Sequence, residues 1–121
     1  MSQSPLRSAK EVLDDHLREG QEGSVEADLS RNYAEDLVVL TSSGIYHGHD
    51  GLRQLAEKLR NELPNSVFEY RTRLVEGDVG FVEWTGHGDS SYVDDGADSY
   101  VIRNGKIVAQ TIHYTVKPLS S

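Results

Sequence analysis

The chain has 121 residues, of which 36% are hydrophobic and 26% charged, with a net charge of −8 and no cysteine. That length suits one domain with its own core, expected over residues 1–121. The acidic balance argues against nucleic acid and anionic membranes, which need clustered Lys and Arg, and the absence of cysteine removes disulfides, thiolate metal sites and a thiol nucleophile.

The N-terminal MSQSPLRSAK has no apolar leader core, and no later run approaches the roughly 18 apolar residues of a membrane span. A cytoplasmic protein is expected. Ser8 to Glu11 has the form of a capping box, followed by Ala9, Val12, Leu13 and Leu17 at helical spacing. Gly20 and Gly23 are expected to end this helix. Ser24 then caps a second one, with Val25, Leu29 and Tyr33 on one face. Asp36 opens a strand, DLVVLT, which Ser42 to Gly44 turn back into Ile45-Tyr46-His47. A third helix is expected from about Asp50, its cap, to Leu63, with Leu52, Leu55, Leu59 and Leu63 on one stripe and Pro64 closing it.

Strands follow. Phe68, Tyr70, Thr72 and Leu74 share one face by period two, with Glu69, Arg71 and Arg73 on the other, solvated or interfacial face. Turns are expected at Glu76-Gly77-Asp78, Asp94-Asp95-Gly96 and Asn104-Gly105, the last suited to a two-residue hairpin. In the closing strand Val108, Gln110, Ile112 and Tyr114 are in phase. An amide and a phenol on an apolar face point to a cavity wall. The fold class is α+β: three helices and a small hairpin, then four long antiparallel strands, with the helices packed on one sheet face.

Three stretches, YAEDLVVLTSSGIYHGHDGLRQL (Tyr33–Leu55), ADSYVIRNGKI (Ala97–Ile107) and AQTIHYTV (Ala109–Val116), together with the element order, resemble the nuclear transport factor 2-like superfamily, with its SnoaL-like and ketosteroid isomerase-like domains. The resemblance implies three N-terminal helices on a strongly curved antiparallel sheet. It also implies a cone with a central apolar pocket, and a homodimer through the convex sheet face, to which His113 would point.

Two residues are candidate catalysts. His16 lies on the buried stripe of the first helix, where it is either a satisfied core histidine or, by the resemblance, the counterpart of the helix-one tyrosine that donates to the substrate oxygen in ketosteroid isomerases. Asp98 shares a face with Tyr100 and Ile102. It is either an exposed turn residue or, by the resemblance, the carboxylic acid that stays protonated beside the oxyanion. Desolvation in a pocket would raise its pKa. The proton-shuttling carboxylate of those isomerases falls near Thr41 here, and a hydroxyl cannot serve as that base. A standard ketosteroid isomerase is therefore not expected.

Tyr33, Tyr46, Trp84, Tyr100, Gln110, Ile112 and Tyr114 are the candidate ligand-binding residues, with Gly86 and Gly88 leaving space beside Trp84. His47-Gly48-His49-Asp50 lacks a third ligand, so no metal is expected, and no phosphate or dinucleotide motif calls for a cofactor. The expected partner is an apolar small molecule. The chemistry would be isomerisation, dehydration or cyclisation of a carbonyl compound, with His16 polarising the ligand and Tyr114 and Gln110 orienting it. The alternatives are a non-catalytic ligand-binding or dimeric interaction module of the same fold, and a stress or housekeeping protein whose convex sheet binds another protein.

Overall fold

The computed structural model describes residues 6–119. The remaining residues of the expected domain, 1–5 and 120–121, lie outside the described ones. Helix α1 (Ala9–Glu22) starts at the expected capping box: Glu11 N–H donates to Ser8 Oγ at 3.1 Å, and Ser8 N–H donates to Glu11 Oε1 at 2.8 Å. Its apolar stripe, Val12, Leu13 and Leu17, is buried. The helix continues through Gly20 and is capped by Gly23. Helix α2 (Val25–Asn32) is capped by Ser24, and Tyr33 begins strand β1 (Tyr33–Thr41) instead of closing the helix. Asp36 is therefore exposed within the strand and does not open it.

Strand β2 (Gly44–His47) folds back on β1, and α3 (Gly48–Glu62) follows with Leu52 and Leu55 buried. Asp50 sits in the first turn of α3, paired with Arg53, while His47 occupies the cap position. Strands β3 (Val67–Glu76), β4 (Val79–His87), β5 (Ser91–Arg103) and β6 (Lys106–His113) are the four long strands; a short β7 (Lys117–Pro118) pairs with the start of β5. Asn104 and Gly105 have φ of 53° and 74°, the positive values a type I′ hairpin needs.

The sheet runs β2-β1-β6-β5-β4-β3. Every pairing is antiparallel except β1 with β6. Registers shift between Tyr70 and Thr72, between Trp84 and Gly86, and between Val101 and Ile102 opposite Val108. Such bulges add a residue to one strand and bend it, which curves the sheet around the helices. They also correct three expectations. Leu74 turns outward at 61% exposure while Val75 packs on the core. Ile107, fully buried, takes the core position expected of Val108. Asp94-Asp95-Gly96 is a bulge inside β5, and the turn before it lies at Gly88–Ser91, where Gly88 N–H donates to Ser91 O.

One core, from Val12 and Leu13 through Leu37 and Val39 to Val82, Tyr100 and Ile107, fills the concave side. No helix among the described residues is long and apolar enough to cross a membrane.

Candidate functional site

Helices and concave sheet do not meet everywhere. A cavity of about 880 Å³ remains between them, within the roughly 300–1,000 Å³ of small-molecule sites. Leu52, Leu55, Leu59, Phe68, Val82 and Ile112 give it an apolar wall; the exposed Ser42, Ser43, Lys58 and Arg60 also line it, so it opens to solvent on their side. Trp84 lies flat over β5 because Gly96 has no side chain: a Cβ there would fall 2.3 Å from the indole. Phe68 meets Trp84 edge-on at 5.6 Å, and the tilted ring of Tyr114 lies 5.6 Å from it.

At the closed end the polar side chains form one hydrogen-bonded cluster. Asp98, 8% exposed, accepts at Oδ1 from Trp84 Nε1 at 2.9 Å and at Oδ2 from Gln110 Nε2 at 3.1 Å and Tyr100 Oη at 3.3 Å. Tyr33 Oη donates to Gln110 Oε1. His16 Nε2 lies 3.1 Å from Tyr100 Oη, and its Nδ1 lies 2.8 Å from Asp28 Oδ2. Asn32 donates to the other Asp28 oxygen at 2.7 Å.

Burial pushes the Asp98 carboxyl above its ordinary range, opposed by the Trp84 hydrogen bond, the nearby His16 and the other two donors. Burial, reinforced by neighbouring carboxylates, likewise pushes the Tyr33 and Tyr100 phenols well up, so both stay protonated.

His16, Asp98, Tyr33, Trp84, Tyr100, Gln110, Ile112 and Tyr114 all line this cavity. Tyr46 does not. It pairs with Val39 across β1 and is covered by the first turn of α3, where a Cβ at Gly51 would lie 3.0 Å from Tyr46 Cβ; its hydroxyl meets Ser43. The role expected of His16 also changes, because both ring nitrogens already hold protein partners and neither is free to polarise a ligand. Gln110 and Tyr114 are similarly committed, Tyr114 Oη donating to Glu62 Oε1 at 2.7 Å.

Thr41 is on the wall, its hydroxyl donating to Gly44 O at 3.1 Å. Of the histidine pair near α3, His49 Nε2 donates to Tyr33 O at 3.1 Å, and no group of three metal-ligating residues occurs among the described residues.

Three contributors escaped the sequence reading. Tyr70 lines the cavity with a hydroxyl that has no hydrogen-bond partner among the described residues, and burial pushes its pKa up to about 12. Its signal was present: a phenol in phase with Phe68 on an apolar strand face, the same pattern that marks Tyr114. Asp28 and Glu62 carried no such signal. Each is an ordinary helix-surface carboxylate until the fold brings His16 or Tyr114 against it.

A strongly curved sheet closed by three helices over a polar-ended cavity defines the nuclear transport factor 2-like cone. The SnoaL-like domain family model matches residues 14–110, and the chain belongs to that family. Among solved structures it is similar to an NTF2-like protein of unknown function from Burkholderia xenovorans LB400 (22% identity, 93% of this chain and 86% of that one, TM-score 0.74). It is also similar to a candidate polyketide cyclase from Sinorhizobium meliloti (19%, 84% and 93%, 0.69). A third likeness is to TerC co-crystallised with polyporic acid (18%, 88% and 91%, 0.70). At these identities the likenesses establish the fold alone. No curated protein sequence matches the chain.

Proposed function

We propose that the protein binds an apolar, oxygen-bearing small molecule in the cone and performs acid–base chemistry on it, an isomerisation, dehydration or cyclisation of a carbonyl compound. The observation that carries this reading is the convergence of Asp98 and His16, through Tyr100, on one open cavity. Asp98 is the acid–base group: its raised pKa keeps a proton available nearer neutrality than an ordinary carboxylate does. Tyr70, with its uncommitted hydroxyl, holds the ligand oxygen. Trp84, Phe68 and Tyr114 supply the aromatic wall. The polyporic acid of TerC and the candidate cyclase fit such a ligand class.

Trp84 is the sole tryptophan, so its fluorescence reports the cavity directly. Titration with a panel of aromatic and alicyclic carbonyl compounds is expected to give saturable quenching for at least one, weakened about tenfold or more in Y70F, which removes one ligand hydrogen bond. Absence of quenching across the panel, together with native mass spectra showing no co-purified ligand, would sink the reading.

One observation favours a second reading, a binder without catalysis: the hydroxyl of Thr41, which by the resemblance is the nearest match to the shuttling carboxylate of ketosteroid isomerases, is held by the hairpin. In that case D98N keeps ligand affinity, and no panel compound is turned over by the wild type. As a further part of the proposal, two copies pair through the convex sheet face.

A further inference from the structure

Hydrogen-bond counting around Tyr100 leads beyond a lone acid–base carboxyl. Arg7 Nη1 donates to Asn32 Oδ1 at 2.9 Å, which orients the Asn32 amide so that its Nδ2 donates to Asp28. Ionised Asp28 can only accept, so His16 Nδ1 carries a proton toward it. That leaves His16 Nε2 as the variable atom, facing Tyr100 Oη at 3.1 Å, with Asp98 Oδ2 3.3 Å beyond the same hydroxyl. Tyr100 has one proton and cannot donate both ways. Two arrangements satisfy every partner. Either Asp98 is a carboxylate accepting from Tyr100 while His16, as imidazolium, donates to Tyr100; or Asp98 is protonated and donates to Tyr100, which donates to neutral His16.

We infer that Asp28, His16, Tyr100 and Asp98 form a relay holding one mobile proton, with Tyr100 the conduit and Asp28 the positioning residue that sets where the proton rests. The balance is simple. The Asp98 Oδ2–H bond breaks as its proton passes to Tyr100 Oη, the Tyr100 O–H bond breaks as that proton passes to His16 Nε2, and Tyr100 ends neutral. Moving that one proton switches Asp98 between carboxylate, with His16 an imidazolium, and carboxylic acid, with His16 neutral, without a second proton entering the chain.

Other titratable groups around this chain are Tyr33 on β1, which meets the His16 ring edge-on at 5.5 Å, Tyr70 and Arg73 on β3, and Glu19, which is tied to Arg31. Tyr33 stays protonated and Arg73 is paired with Asp14, so neither supplies the mobile proton.

The inference rests on the cavity reading for its use in catalysis, but its test needs no ligand. The Asp98 carboxyl ¹³C resonance, assigned by its loss in D98N, is followed across the pH range in which the protein is folded. In D28N the imidazolium loses its counter-charge and the proton returns to Asp98, so the Asp98 midpoint is expected to rise by about one pH unit, a tenfold change in proton affinity. Direct charge removal alone would move it down. In the Y100F background the rise is expected to fall to less than half. H16Q, which keeps an amide toward Tyr100 and removes the ring that opposes the rise at Asp98, is expected to raise the midpoint as well; if D28N does not fold, only the part of this rise that is lost in the Y100F background counts for the relay. A midpoint that falls or stays put in D28N and H16Q, a rise undiminished by Y100F, or an Asp98 signal that never titrates overturns the relay. Those results leave the ligand reading standing, and failed quenching by the carbonyl panel leaves the relay standing.

Discussion

Two residues in the cavity wall show how local sterics and local charge set the site. A side chain at Gly96 would overlap the Trp84 indole, whereas a Cβ at Gly44 would have nothing within 4 Å. Overpacking of that kind costs about 1–3 kcal/mol, and Phe68 and Tyr114 both pack against the indole that would have to move. G96A is expected to lower the urea midpoint accordingly and to alter the near-ultraviolet signal of the sole tryptophan; an unchanged spectrum would mean that Trp84 does not rest on β5.

Asp98 makes a second prediction at this scale. Burial raises its native pKa above the unfolded value, so its contribution to stability is complete when both states are protonated and is lost as pH rises through the native value. Asp95, lowered by its hydrogen bonds from Thr115, works in the opposite sense and loses its contribution in acid. The stability difference between wild type and D98N is therefore expected to shrink from acid toward neutral pH. Denaturation curves at several pH values test this, and a pH-independent difference would contradict it.

At the scale of elements, the helices are legible because their signals are local. Ser8 and Glu11 name the start of α1 three residues apart, and S8A is expected to cost about 1 kcal/mol in chemical denaturation, with a loss near zero arguing that the box does not form in solution. The Asn104-Gly105 hairpin is legible for the same reason. Strand phase is not. A bulge inserts one residue without any compositional mark, and beyond it every side chain changes face. Period two thus placed Phe68 and Tyr70 correctly and then failed at Leu74, past the bulge at Arg71. It placed Gln110 and Ile112 correctly and failed at Val108, which is itself the bulge. Asp94-Asp95-Gly96 read as a turn because the residues that suit a turn also suit a bulge. The polar cluster was half legible. Asp98 and His16 stand out as polar residues on apolar faces, but Asp28 acquires its role only when α2 packs beside α1, a contact between helices that no single periodicity encodes.

For the whole molecule, the proposed dimer is argued from the outer sheet surface. The strand registers align Ile45, Leu40, Thr111, Ser99, Phe81 and Leu74 into one row crossing all six main strands on the side away from the cavity. Ile45 and Leu40 at one end are 65% and 48% exposed, and at the other Leu74 is 61% exposed and Val79, two residues from Phe81 on β4, 55%. The row is apolar at both ends and polar at Thr111 and Ser99 in its middle, and two exposed apolar ends on a chain of net charge −8 are costly to leave in water. A two-fold axis near the middle of the row would lay each copy's Leu40 end over the other's Leu74 end, so both apolar ends are covered by one isologous contact. Removing the apolar character at both ends, in an I45E/L74E variant, is expected to convert a dimer to a monomer in sedimentation velocity at micromolar concentration. The cavity lies on the opposite face, so carbonyl-ligand quenching of Trp84 is expected to survive in the monomer. A wild type that sediments as a monomer, or a variant that stays dimeric, would place the contact elsewhere or abolish it.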